Sequence, residues 1–398
     1  MKLMQVGIGF STENDHIKAA KEAVSRAITG INREKADLAL LFSTVEFNHP
    51  LVLKTIDEAL DGIPLLGLNT PAIISNQGAS KNGLIIVLFS FPEEIYFNTT
   101  CIEEISSKTA LAAGEKLGEE LLYGCKGIKR NLSIIFSDGN ILNGQDISFG
   151  LQERVGKSFP LIGASTYSQN TKTEKTSLYF GSSTLNDAAC GILFGGRFNF
   201  GLGIKHGWKP LGKPRKVTLS KGNTINEIEG KAAANLYQEY FAKDTSGLKK
   251  DIRRISTFYP LGINIAGEKE YLLRSLSSIQ YDDSLVFNGD IPQDSSVKLM
   301  VSSKESCLES TREAAELAKK ALENQKVKLI LVFNSWARSI LLGRQENQEI
   351  EIIKDVFGKD APIAGAYTFA EQAPLSTESY LGRSYFQNNS IAILAIAG

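Results

Sequence analysis

Three times along the chain a short apolar run is followed by a segment with apolar residues at helical spacing and then by a second apolar run. Residues 36–42 lead to Pro64-Leu65-Leu66-Gly67, residues 132–136 lead to Pro160-Leu161-Ile162-Gly163, and residues 327–333 lead to Pro362-Ile363-Ala364-Gly365. The first run ends in Phe each time, and the second carries a Pro-apolar-Gly signature. Continuous apolar runs flanking a segment of period 3.6 predict βαβ units whose strands are parallel and buried on both faces. In sheets of this kind ligands sit at the C-terminal strand ends.

The intervening pattern fills in the rest. Residues 2–10 alternate weakly and predict an edge strand. Asn14 or Asp15 caps a helix with apolar Ile17, Ala20, Val24, Ala27 and Ile28, which stops at Gly30. The first unit's loop carries Ser43, Thr44 and Asn48, and Pro50 opens its helix. A run at 83–90 returns antiparallel, and the runs at 177–181, 189–194 and 390–396 repeat that closing move. A helix spans about 107–123, with Gly124 as its stop, and Ile147, Leu151 and Val155 mark the second unit's helix. The glycine-rich stretch 195–214 reads as the approach to a domain boundary. Residues 223–241 read as helical, 258–265 as a strand, and 285–288 with 297–301 as a hairpin. Ser306 and Glu309 form a capping box for the next helix. The expected fold class is α/β: repeated βαβ units with added antiparallel strands, in two domains (1–205 and 231–398) joined by a connector at 206–230.

At 398 residues with 42% apolar content the chain is long enough for more than one core. Its formal net charge of zero leaves no field for nucleic acid or an anionic membrane surface. No apolar run approaches the length of a membrane span, and the N-terminus has no leader pattern, so a cytoplasmic location is expected. Cys101, Cys125, Cys190 and Cys307 are scattered without a C-x-x-C, which predicts free thiols in a reducing compartment and no zinc site.

Residues 150–158 resemble a phosphate loop but hold one residue too many between the glycines. Gly201-Leu202-Gly203 lacks the third glycine of a dinucleotide fingerprint. His16, His49 and His206 are the only histidines, and none lies in the third unit. The chemistry therefore gathers at the ends of the repeated strands. Arg338 suits a bidentate carboxylate contact and Glu371 suits an ammonium, so the two are candidates to clamp a zwitterion, or to pair with each other. Asn334, Tyr367 and Thr368 stand beside them. Asn69, Thr70, Asp138 and Ser165 occupy the matching places in the first two units, and Asp138 or Glu371 is also a candidate general base.

The string Phe333-Asn334-Ser335-Trp336-Ala337-Arg338, then Leu342-Gly343, Glu349, Pro362 through Gly365, Tyr367-Thr368, Glu371 and Phe386-Gln387-Asn388-Asn389-Ser390 resembles the C-domain of the FIST family. The N-terminal half is similar to its N-domain through Pro64 to Gly67, Pro160 to Gly163 and His206-Gly207-Trp208-Lys209-Pro210. The chain departs from the family pattern at Ser335, Ala337 and Ala370, and Gln387-Asn388 stands where a His-Asn pair is expected, which weighs against metal or thiol chemistry. The resemblance implies a sensory module that binds a small, amino-acid-like ligand through residues including Arg338, Glu371 and Asn388. With no output segment after Gly398, it would signal to a separate partner such as a kinase or cyclase. Some relatives bind haem and sense nitric oxide; here His206 is the candidate axial ligand.

Overall fold

In each unit the central strand pairs in parallel with the strand bearing the Pro-apolar-Gly signature: Leu38–Thr44 with Leu65–Thr70, Arg130–Ser137 with Leu161–Ser165, and Val327–Ser335 with Ile363–Thr368. The computed structural model describes residues 3–32, 35–44, 46–47, 49–141, 143–167, 176–323, 325–377 and 382–398. A returning strand lies antiparallel on the other side of each central strand: Leu84–Ser90, Ala189–Gly196 and Ile391–Ala397. Beyond it an opening strand forms the edge: Gln5–Ser11, Ile95–Ile102 and Asn199–Lys205. The signature glycine has a steric reason. A Cβ at Gly67, Gly163 or Gly365 would stand 1.8, 2.3 or 2.0 Å from a carbonyl oxygen of the neighbouring central strand.

Each six-stranded sheet is finished by a hairpin from another unit. The first unit lends Ile73–Ser75 and Gly78–Ser80 to the third sheet. The second lends Leu178–Phe180 and Ser183–Leu185 to the first sheet, and the third lends Glu371–Pro374 and Ser384–Gln387 to the second. The exchange is cyclic, so no unit can bury its sheet edge alone. At the centre, Phe42, Phe136 and Phe333 meet edge to face, with ring centroids 5.8 to 6.0 Å apart. Edge-to-face rings gain about 0.5–1.5 kcal/mol per pair beyond their burial. The phenylalanine that ends each repeated strand is thus the axis of a triangular body.

Residues 209–301 form a separate all-β unit of eight strands with three short helices. It has its own core, which includes Val217, Tyr237, Leu261, Phe287 and Leu299. Arg274, 1% exposed, pins it to the exchanged hairpin by donating to the Phe386 carbonyl at 2.7 Å.

Several expectations give way here. The stretch at 195–214, read as the approach to a domain boundary, is strand on both sides of residues 206–208: Asn199–Lys205 is the third sheet's edge and Lys209–Lys221 is a long strand of the all-β unit. Its glycines serve helix packing: a Cβ at Gly201 or Gly203 would meet the Ala318 or Ala314 carbonyl of helix Lys304–Ala321 at 2.0 or 1.8 Å. The boundary at 205 falls inside a continuous core holding Leu202, Ile204, Leu331 and Leu394. Within 223–241 only Asn235–Phe241 is helical; Thr224–Ile228 is a strand, and Gly230 at φ +74° ends the run. Leu285–Phe287 and Ser296–Val301 do not pair with each other. Ser303, not Ser306, caps helix Lys304–Ala321 by accepting the Ser306 amide hydrogen at 3.1 Å. Cys101 and Cys190, directly opposite each other on two antiparallel strands, are joined in a disulfide, against the expectation of four free thiols. Asn48 lies outside the described residues. Among the described residues no helix is long and apolar enough to cross a membrane.

Candidate functional site

Arg338 sits in helix Trp336–Leu342 and is completely buried. Its Nε donates to Glu349 Oε1 at 3.0 Å. Nη1 donates to the His206 carbonyl (2.7 Å) and Ser310 Oγ (3.2 Å), and Nη2 to Glu349 Oε1 (2.7 Å), the Cys307 carbonyl (2.8 Å) and Thr311 Oγ1 (2.8 Å). A guanidinium has five donors, and all of them are engaged within the fold. The second carboxylate oxygen of Glu349 accepts from Asn334 Nδ2 at 2.6 Å. Arg338 and Asn334 therefore build a closed ionic knot joining helix Lys304–Ala321, helix Gln348–Phe357 and the chain at His206. The expected clamp between Arg338 and Glu371 does not form, and neither does their direct pair.

Glu371 is also fully buried, at the first position of the exchanged strand Glu371–Pro374. In register it lies opposite Ala164, and the matching positions of the other two exchanged hairpins are Leu178, opposite Leu68, and Ile73, opposite Ala366. A carboxyl thus stands where two repeats keep aliphatic side chains. Burial pushes it up to about 8, against the hydrogen bonds from Ser390 and Thr368 that favour its charged form. Ser390 Oγ donates to Oε2 at 2.6 Å, and Thr368 Oγ1 lies 2.5 Å from Oε1. From Ser390 the connections lead outward. Asn389, at φ 61°, donates its amide hydrogen to Ser335 Oγ (3.1 Å) and Nδ2 to the Thr257 carbonyl (3.1 Å), and accepts from Ser275 Oγ (2.6 Å). Asn388 accepts the Ser275 amide hydrogen at 3.2 Å. The Asn388-Asn389-Ser390 turn is the joint between Glu371 and the all-β unit.

The remaining candidates are dispersed around the axis. Tyr367 stands edge-on to Trp336, with centroids 5.6 Å apart. Thr70 reaches the Tyr367 carbonyl at 2.7 Å, and Asn69 accepts the Ser177 amide hydrogen at 2.9 Å. Ser165 Oγ lies 2.8 Å from Ser137 Oγ and 2.9 Å from Gln372 Nε2. Asp138 accepts from Thr176 Oγ1 and from the Asn140 and Asp187 amides at 2.9 to 3.0 Å, the partner set of a carboxylate that holds loops together. These side chains bond across the seams between units, and none of them lines either of the two cavities described below.

His206 is neutral: burial first, against the opposing pull of Glu270, holds its ring near pKa 4. Its Nδ1 accepts the Trp208 amide hydrogen at 2.9 Å, so the ring proton is on Nε2, which lies 3.5 Å from Glu270 Oε2. The adjoining hollow of about 510 Å³ has a charged wall, with Glu270, Glu305, Glu309 and Glu313 beside Lys205 and Lys209. Axial ligation needs a bare imidazole nitrogen, and a porphyrin needs apolar faces. The residues at His206 do not fit haem.

A larger cavity of about 730 Å³ opens where the strands of the second and third units end. Tyr167, Trp336 and Phe369 supply one wall, each lying just past a repeated strand, and residues 252–254 and 256–258 with Leu276, Ser277 and Asn288 of the all-β unit supply the other. Tyr167 lies 6.1 Å from Trp336 and 6.2 Å from Phe369, centroid to centroid. Sequence reasoning passed over Arg253 and Arg254 because the all-β wall is remote in the chain, over Phe369 because its polar neighbours Thr368 and Glu371 drew the attention, and had Trp336 only as part of a motif. Glu349 was in view only as part of a motif.

Three repeated α/β units with exchanged hairpins, and a separate all-β unit walling the cavity at their strand ends, define the architecture of the class. Residues 37–231 match the FIST N domain and residues 233–374 the FIST C domain, and the chain belongs to the FIST family. FIST domains are implicated in signal transduction and small-ligand sensing. An uncharacterized protein of Methanocaldococcus jannaschii is 25% identical over 324 residues, covering 76% of this chain; the match spans 60% of that relative's length. Among solved structures, a cyanuric acid hydrolase from A. caulinodans aligns over 49% of this chain and 71% of its own, at 8% identity and TM-score 0.30. The T. maritima PurL complexed with FGAR aligns over 99% of this chain and 73% of its own, at 10% identity and TM-score 0.24. Likenesses this slight bear on neither mechanism nor ligand.

Proposed function

We propose that the protein is a sensor that binds a small polar molecule, of amino-acid size, in the cavity between Trp336 and the all-β unit, and passes its state to a signalling protein of the kinase or cyclase kind in the cytoplasm. The observation that carries this reading is the pair of walls: one belongs to the repeated units and the other to the all-β unit, each built mainly on its own core, so a ligand touching both bears on how the units sit together. Its volume of about 730 Å³ falls within the range usual for small-molecule sites. The Asn388-Asn389-Ser390 turn supplies a route inward, because Asn389 holds the wall residue Thr257 while Ser390 holds Glu371.

A thermal-shift screen against amino acids, organic acids and nucleotides tests the reading. A ligand at one hundred times its Kd adds about 2.7 kcal/mol of stability, and that gain is expected to vanish in Trp336→Ala. Hits whose stabilisation is unchanged in Trp336→Ala and Phe369→Ala would place the ligand elsewhere.

A further inference from the structure

Resting on that reading of the cavity, we propose that its ligand is an aromatic oxyanion, a flat ring bearing a carboxylate or a phosphate monoester, rather than a zwitterion. The cavity is one-signed. Arg253 and Arg254 line it, both exposed, and neither makes an ion pair or a hydrogen bond to a carboxylate among the described residues. Asp251, whose carboxyl feels Arg254, is itself paired with Lys243. No Asp or Glu is among the residues lining the cavity.

The three buried carboxyls of the neighbourhood are out of play. Asp138, whose neighbour Gly139 stands against Phe369, accepts from Thr176 Oγ1 and from the Asn140 and Asp187 amides. Glu349 is bound to Arg338, and Glu371 is held between Thr368 and Ser390. An ammonium placed here would lie near two guanidiniums with no carboxylate to receive it, whereas an oxyanion gains charge-assisted hydrogen bonds from planar forks. The opposite wall is aromatic. Trp336, Tyr167 and Phe369 lie tilted by 41° and 36° along one surface, against which a flat ring stacks.

Isothermal titration with four probes tests this: benzoate, phenyl phosphate, neutral benzamide and zwitterionic phenylalanine. The expected result is that benzoate or phenyl phosphate binds at least about tenfold more tightly than benzamide and phenylalanine, and whichever oxyanion binds identifies the head group. The double variant Arg253→Gln/Arg254→Gln, changed only at exposed positions, is expected to keep the parent's melting curve and to lose that preference. The proposal is overturned if phenylalanine or benzamide binds as tightly as the oxyanions, if oxyanion binding survives the double variant, or if neither oxyanion binds. Should an uncharged or zwitterionic probe bind and be lost in Trp336→Ala, the cavity remains the site and only the ligand class fails. Oxyanion binding that persists in both Trp336→Ala and the arginine double variant removes the cavity itself.

Discussion

Replacing Arg338 separates a structural arginine from a ligand-binding one. Arg338→Met keeps an unbranched apolar stem reaching about as far as the Nε position and deletes the charged head. Glu349, 0% exposed, then keeps Asn334 and Thr311 as its side-chain partners among the described residues, and the His206 and Cys307 carbonyls each lose a donor. Breaking a buried ion pair from one side costs about 3–5 kcal/mol, because the surviving charge stays desolvated. Domains are stable by only about 5–15 kcal/mol, so the loss is a large share. Urea denaturation followed by tryptophan fluorescence reads it. Trp208 lies in the cluster with Cys307, Leu341 and Leu342 beside the knot, and Trp336→Phe makes it the sole indole, since the chain has two tryptophans. Adding Glu349→Gln removes the orphaned charge and is expected to recover about 0.5–3 kcal/mol relative to additivity. An Arg338→Met variant with unaltered unfolding that no longer responds to ligand would refute the structural assignment and restore Arg338 as a contact.

Other tests follow from the same contacts. Glu371 has an ordinary value of 4.5 and a folded value of about 8, so the folded state holds this proton more tightly than the unfolded chain. The contribution of its neutral form is complete below about pH 4.5 and is lost as pH rises through about 8; Glu371→Gln is expected to flatten that decline, by an amount on the order of a few kcal/mol, and a pH series of melts that stays parallel to the parent's contradicts the assignment. Gly365→Ala places a Cβ 2.0 Å from the Val332 carbonyl and is expected to destabilise by more than the roughly 1–3 kcal/mol of ordinary overpacking, seen as a lowered urea midpoint; a neutral result would mean the two strands spread apart freely.

The βαβ units were legible because each strand is a short, unbroken apolar run, and the phenylalanine and glycine marking the strand ends turned out to be the axis and the tightest strand contact. The exchanged hairpins were not legible. Ile73–Ser75 and Gly78–Ser80 are three residues each and look like a turn, and their partner Ile363–Thr368 lies almost 300 positions away. Local pattern carries no information about such pairings. Arg338 and Glu371 were singled out for their chemistry, and the structure places both in full burial, but sequence spacing cannot say which carboxylate a guanidinium meets. Glu349 is on the next long helix and wins by geometry. The disulfide was missed for the same reason: Cys101 and Cys190 are 89 positions apart, and only the antiparallel register brings them together.

The cyclic exchange of hairpins also decides which part of the molecule is free to respond to a ligand. Sliding one of the three sheets relative to the next breaks main-chain ladders at two seams and disturbs the Phe42, Phe136 and Phe333 cluster. Moving the all-β unit leaves those ladders and most of its own core in place; what yields are the bonds of Arg274, Asn388 and Asn389 and the packing of Leu273 and Met300 on Cys307, Leu341 and Leu342. A ligand between the walls is therefore expected to act on that joint. Amide hydrogen exchange checks it: saturating ligand should slow exchange at the Ser275 and Asn389 amides while leaving the central strands, at the high-stability end of the molecule, unchanged. Equal protection across the three central strands and the joint would mean that the units move as one body, and the route from the cavity to Glu371 would lose its basis.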